Sequence, residues 1–312
     1  MNRNPKPMTK FVLTAAGLAT AAAIVLSSGG QAVGRSGSDR YSNLPSELNL
    51  MGVCRDFRWR TEDNGHPDFQ RQPASGFGMY TGNLAIELDR DGRPVFQGGG
   101  RKVSAQWRDS ARRNINPAIY DASKGDTAGS FTGNPDPGGI ASAESFAQWY
   151  RNVPGVNMTK EVPITLRRQE GTNMYVFDDR TDPLYSTRGG FFPVNNDLFG
   201  NSPGQSKNFG FTFEVATEFV YKPNENQSFT FIGDDDVWVF INNKLVIDIG
   251  GVHGATSQTV QLDRLGDLMR PNARNTLTLF FAERHTTQSN CRIETTINLR
   301  PAQLPNTASM YD

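Results

Sequence analysis

Residues 229–254 read F-T-F-I-G-D-D-D-V-W-V-F-I-N-N-K-L-V-I-D-I-G-G-V-H-G. Two β-branched and aromatic runs flank Asn242-Asn243. A two-residue hairpin loop needs positive φ at both central positions, and Asn tolerates that better than most non-glycine residues. The stretch therefore predicts two antiparallel strands with a tight turn at Asn242-Asn243. Once the turn is placed the pairing follows: Ile241 faces Lys244, Phe240 faces Leu245, Val239 faces Val246, Trp238 faces Ile247, and Val237 faces Asp248. Side chains alternate between faces, so Trp238, Phe240, Leu245, Ile247 and Ile249 form a core face. Trp238 is then expected to support the core rather than a ligand.

The open end of this hairpin carries the chemistry. Asp234, Asp235 and Asp236 lead into one strand; Asp248, Gly250, Gly251 and His253 leave the other. Three consecutive carboxylates repel one another, and hard oxygen donors favour calcium over zinc or copper. The same acids would serve equally to cap loop amides, and both readings stay open on local chemistry.

The motifs G-D-D-D-V-W-V-F-I-N-N-K-L at 233–245, D-I-G-G-V-H at 248–253 and F-F-A-E-R-H at 280–285 resemble the fibro-slime domain, a relative of the PA14 module. R-D-F at 55–57, H-P-D-F-Q at 66–70 and N-F-G-F-T-F-E at 208–214 extend the resemblance to about Leu48–Leu299. It implies an all-β fold, an antiparallel PA14-like sandwich or barrel with a few short helices and long loops. Sugar-binding members of the wider PA14 group hold calcium with adjacent aspartates, and sugar hydroxyls complete the coordination. The matching pair here is Asp234 and Asp235; Asp236 stands where the wider group often has Gly. Asp236, Asp248, His253 and Asn290 are the expected outer partners or rim of that site.

Composition agrees with a β-rich fold. Twenty Phe, 31 Gly and 18 Pro in 312 residues suit many strands and turns. Lys plus Arg balance Asp plus Glu at 32 each, so nothing invites nucleic acid. Residues 1–32 run from a basic start through an uncharged apolar core to small residues, the order of a secretory signal, with cleavage expected after Gly30 or Ala32. The expected organisation is this signal, a Gly/Ser-rich linker at 33–47, one β domain at 48–299 and a tail at 300–312. The tail holds L-P-N-T-A at 304–308 without the apolar span a sorting signal needs. No second long apolar segment predicts a transmembrane anchor. Cys54 and Cys291 are expected to pair in an oxidising compartment, joining the first strand to the last; two buried thiols are the alternative.

Elsewhere, alternation predicts strands at Leu50–Trp59, Leu84–Leu88, Val162–Leu166, Met174–Phe177, Phe209–Val215, Thr276–Ala282 and Cys291–Leu299. Residues 121–139 read as a long loop. Ser142 caps a short helix whose Phe146, Trp149 and Tyr150 make an apolar stripe. Asp178, Asp179 and Asp182 form a second, weaker acidic cluster.

Three functions fit. The first is a secreted, calcium-dependent carbohydrate-binding or adhesion module whose partner is a glycan or matrix polysaccharide. The second is a structural matrix or surface-layer protein in which calcium only stiffens a loop. The third is a hydrolase with zinc on His66, His253 and His285. The chain has no His-Glu-x-x-His helix and no Gly-x-Ser-x-Gly elbow, so no catalytic residue is assigned and no enzyme is expected.

Overall fold

The computed structural model describes residues 39–302. The expected signal, most of the linker's start and the L-P-N-T-A tail lie outside those residues. The strands are β1 (Glu47–Phe57), β2 (Tyr80–Thr81), β3 (Arg101–Ala105), β4 (Ser130–Thr132), β5 (Asn157–Arg168), β6 (Tyr175–Asp178) and β7 (Phe211–Val220). They continue as β8 (Ser228–Gly233), β9 (Asp236–Ile241), β10 (Lys244–Ile249), β11 (Thr256–Gln261), β12 (Arg274–Glu283), β13 (Cys291–Thr295) and β14 (Arg300–Pro301). Among the described residues only two short α-helices occur, α1 (Ala143–Phe146) and α2 (Tyr185–Arg188). The fold is thus all-β and antiparallel, as the sequence predicts.

One large sheet runs in the order β10-β9-β12-β7-β1-β5-β6-β13-β8-β11, with β14 also on β7. It curls until its ends nearly meet. The last step between β10 and β11 is made by a side chain: Gln258 accepts from the Asp248 amide at 2.9 Å and donates to the Asp248 carbonyl at 3.0 Å. The inner faces form one aromatic core, with Phe213, Phe281, Phe191 and Phe231 among its members.

Central strand β7 is buried on both faces. Phe211, Phe213 and Val215 point to the aromatic core. Thr212 and Glu214 point outward, beneath the long insertion between β1 and β5. That insertion carries a small sheet, β2-β3-β4, and α1. Its Trp149 backbone carbonyl accepts from the Thr212 hydroxyl, while Arg55 and Arg93 both pair with Glu214. Ser142 and Ser145 form the capping box at α1, and Phe146, Trp149 and Tyr150 are buried as the stripe predicts.

Some expectations need correction. Alternation in the first strand sets Met51, Val53, Arg55, Phe57 and Trp59 on one face, but the side of β1 toward the aromatic core is Leu48, Leu50 and Cys54, and Met51 is exposed. Residues 84–88 form no regular strand, but they run beside β10: Leu245 donates to the Ile86 carbonyl and Leu88 to that of Asn243. This covers an edge that would otherwise be open. The loop at 121–139 contains β4. The second acidic cluster is structural, since Asp178 pairs with Arg292, Asp179 accepts the Cys291 amide, and Asp182 accepts the Leu184 and Tyr185 amides ahead of α2.

The hairpin turn is as expected, with φ of 46° at Asn242 and 65° at Asn243. Its register is not. Ile241 pairs with Lys244 and Phe240 with Leu245, but Val239 then pairs with Ile247 and Trp238 with Asp248. Val246 is the extra residue of a β-bulge, which re-aims the side chains beyond it. Residues 228–233 also belong to a separate strand, so the predicted pair begins at Asp236, not at Phe229.

Candidate functional site

The aspartates form the crossover between distant parts of the sheet. β8 lies near one end of the strand order and β9 near the other, and Asp234-Asp235 joins them. β12 pairs with β9 so that Ala282 lies opposite Asp236, which brings Glu283 and Arg284 to this corner. β13 pairs with β8 so that Cys291 lies opposite Gly233, which returns Asn290 to it. Residues 50 positions apart thus meet because of strand order.

Asp234 accepts from Asn290 twice, from its backbone amide and from Nδ2 at 2.6 Å. Asp235 accepts the Arg284 amide at 3.1 Å and the His253 amide at 3.3 Å. The structure therefore brings Asp234, Asp235, His253 and Asn290 together, as the sequence predicts. It also realises the amide-capping reading of the acids.

Asp236 and Asp248 do not belong to the rim. Asp236 is fully buried in an ion pair with Arg284 and also accepts the Gly251 amide. Asp248 is buried elsewhere. It accepts from Thr81 Oγ1 at 2.6 Å, the Gly82 amide at 2.8 Å and Trp238 Nε1 at 3.0 Å. The bulge at Val246 is the cause: it sets Asp248 opposite Trp238 and ties the hairpin to the insertion. Trp238 itself is buried against Phe146 and Trp149, as expected.

Glu283 is the residue that sequence reasoning missed. It is fully buried, and neither carboxylate oxygen makes a well-formed hydrogen bond, although the Ser289 side chain and the His285 amide lie near enough to ease its burial slightly. The nearby Ser289 hydroxyl donates instead to the Phe191 carbonyl, at 2.8 Å. Burial raises the Glu283 carboxyl far above its usual range, and the neighbouring charges of Asp235 and Asp234 add to this. Burial also raises Asp234 and Asp235. Against the cost of burial, Asp236 and Asp235 hold the Arg284 guanidinium charged. The Arg284 guanidinium is thus committed to Asp236 and shared electrostatically with Asp235, while Asp234 and Glu283 have no ion pair among the described residues.

A cleft of about 240 Å³ opens over this corner. Asp234, Asp235, His253, His285 and Phe77 line it. His253 Nδ1 faces the Gly254 carbonyl, while its buried Nε2 has no partner. Phe77, from the insertion, is 47% exposed and meets His285 edge-on with centroids 4.8 Å apart. His66 is not part of this cleft; its ring is buried between Phe57 and Phe69 and contacts Ser145. The three histidines considered for zinc therefore do not share one cleft.

The donor set suits a hard cation. Glu283 offers two unpartnered oxygens, and each carboxylate oxygen of Asp234 and Asp235 has acceptor capacity beyond the amide it holds. Among the described residues, no group of three or more His, Cys, Asp or Glu is arranged so that it could hold a metal ion. The aspartates are turned onto their amides instead. Cys54 and Cys291 are both buried free thiols. Among the described residues, no helix is long and apolar enough to cross a membrane.

The chain matches no family model. It is similar to protein psiR of Dictyostelium discoideum, 39% identical over 170 residues, which are 53% of this chain and 17% of that protein. Protein psiQ of the same organism is 37% identical over 173 residues, 51% of this chain and 16% of psiQ. Protein psiF matches over 273 residues at 28% identity, covering 79% of this chain and 31% of psiF. A solved GH31 alpha-xylosidase from Xanthomonas citri aligns with 78% of this chain and 22% of its own at 11% identity; its TM-score of 0.25 is too low to carry an argument. The chain spans no more than about a third of the length of these curated relatives.

Proposed function

We propose that this chain is an exported, calcium-dependent carbohydrate-binding or adhesion module of the fibro-slime kind, with its site at the β8–β9 crossover. The observation that carries the reading is Glu283. A buried carboxylate with no ion-pair partner among the described residues, beside two further buried carboxylates, costs several kcal/mol unless a cation or a proton neutralises it. Asp234, Asp235 and Glu283 would hold the ion. When bound, calcium supplies open coordination positions that vicinal hydroxyls of a sugar can fill. The ion would also relieve the repulsion among the three acids and so fasten the 284–290 loop to the crossover.

Phe77 supports the choice of a sugar. A half-exposed aromatic ring beside a polar cleft gives the apolar face of a pyranose a surface to rest on. His285 holds that ring edge-on. The absence of net charge in the chain also leaves the cleft's own residues to decide the ligand.

Titration calorimetry of the folded chain with calcium, followed by a glycan array with calcium and with chelator, tests the proposal. Wild type takes up one calcium and binds glycan only when calcium is present. Asp235→Asn keeps the shape but weakens calcium uptake at least tenfold. Phe77→Ala keeps calcium and loses glycan. No uptake of calcium at millimolar concentration overturns the site. Calcium uptake with no glycan on the array, together with calcium-dependent self-association, points to the structural matrix role instead.

A further inference from the structure

A second cleft lies on the other side of the hairpin and shares no lining residue with the first. It measures about 290 Å³. Its walls come from three places: the covering segment after β2, the turn at Asn116–Ala118, and β4 with the outer face of β10. Leu84, Ile86, Pro117, Phe131 and Leu245 make it mostly apolar. Phe131 is held by Trp107, at 4.7 Å between centroids, with the Arg101 guanidinium 5.4 Å from its centre.

Two polar groups interrupt the apolar lining. Asn116 is 2% exposed. Its Oδ1 accepts from the Ala118 amide at 3.0 Å and caps the short turn that follows. Its Nδ2 has no partner at all. A buried amide donor left unsatisfied is uncommon and costly. Asp248 is the other group. It receives three donors, from Thr81, Gly82 and Trp238, and a carboxylate has about four acceptor sites. One site remains. The Thr81 hydroxyl donates to Asp248, so its own lone pairs are available to a ligand.

We propose that this cleft is a second binding site that takes one neutral sugar ring and needs no cation. The volume is at the small end for ligand pockets, about 300–1,000 Å³, which suits a single ring better than a chain. Apolar walls receive the C–H face of a pyranose. An unpartnered N–H and a spare carboxylate position receive its hydroxyls, as acceptor and donor respectively. No cationic side chain lines the cleft, so an acidic ligand has no counter-charge there. The site does not depend on the calcium reading above.

Saturation-transfer NMR on the folded full chain in chelator tests this, using the methyl pyranosides of glucose, galactose, mannose and N-acetylglucosamine as probes. At least one probe is expected to receive saturation from wild type. Asn116→Asp keeps the acceptor that caps Ala118 and removes the donor, and it should weaken that binding about tenfold, the scale of one buried hydrogen bond. Phe131→Ala removes a wall and should weaken it comparably while the chain stays folded by circular dichroism. The proposal is overturned if no probe binds wild type in chelator. It is equally overturned if binding appears only with calcium, or survives both substitutions unchanged.

Discussion

Glu283 makes the sharpest claim at the scale of a single residue. Its buried carboxyl has no ion-pair partner among the described residues and must take up a proton to fold without a cation, so replacing it with a neutral group should help when no cation is present. Glu283→Gln is expected to melt above wild type in chelator and to lose the upward shift that calcium gives wild type, which follows the ratio of free calcium to its dissociation constant. Differential scanning calorimetry in both conditions decides; equal calcium shifts in the two proteins would remove Glu283 from the site. Asp56 carries a separate claim. On β1 it accepts from Asn208 Nδ2 and from the Phe199 amide, both at 2.7 Å. Burial nevertheless pushes its carboxyl up to about 7, against those bonds and with Glu62 adding to the rise. The folded state then keeps a proton that the unfolded chain, titrating near 3.8, has released. Between those values the folded state binds more protons, so this group's contribution falls as pH rises. A shift of about three units corresponds to about 4 kcal/mol at most. Asp56→Asn should flatten the decline of stability between about pH 4 and 7, whatever its baseline. Denaturant midpoints measured across that range check it, and an unchanged slope would assign the decline to other acids.

The hairpin separates turn chemistry from packing at the scale of the element. Asn243 is exposed at a φ of 65° and bonds nothing through its side chain among the described residues. Asn242 shares the left-handed conformation but donates to the Leu268 carbonyl and to Asn275 Oδ1, and accepts from the Thr276 amide. Asn243→Gly should therefore leave stability unchanged or slightly higher, while Asn243→Ala costs about 1 kcal/mol for the left-handed backbone. Asn242→Gly keeps the backbone at ease yet should cost about 1–3 kcal/mol, because it strips the bonds that fasten the turn to β12. Thermal denaturation of the three variants tells these apart. The same element marks how far the sequence can be read. Two adjacent Asn between β-branched runs announce the turn, since few residues accept that backbone. Nothing announces the bulge: Val246 is an ordinary strand residue, and β10 there runs beside a segment more than a hundred positions away. A single extra residue then carried Asp248 from the expected rim to the floor of a different cleft. Glu283 was hidden for a related reason. F-F-A-E-R-H was visible as a motif, but only the pairing of β12 with β9 puts its Glu beside Asp234 and Asp235.

Across the whole molecule, closure of the sheet decides what becomes neighbours. Alternation along β5, β7 and β13 was legible, because each strand buries one face in a shared core. Strand order was not, because it depends on which edges the insertion and the side chain of Gln258 cover. That order bears on the two cysteines. β5 and β6 separate β1 from β13 along the sheet, yet both cysteines belong to the one hydrophobic core. The Tyr185 hydroxyl is driven upward first by burial and then by Cys291 and Cys54 together. The curl thus turns Cys54 and Cys291 toward the same region of the core. Burial also raises both thiols well above their ordinary range, and a buried thiol reacts slowly because its thiolate is disfavoured. Both thiols are free in the folded structure, so a bridge can form only while the chain folds, before the core closes. Protein refolded with oxidised glutathione should show no free thiol after denaturation without reductant. Protein refolded in reductant should keep two thiols when later exposed to the same oxidant in its native state. The bridge would close a loop containing most of the described fold, so the oxidised form should be more stable by about 4–5 kcal/mol before any strain is subtracted. Two titratable thiols after oxidative refolding, or equal melting temperatures for the two preparations, would leave Cys54 and Cys291 as packing residues only.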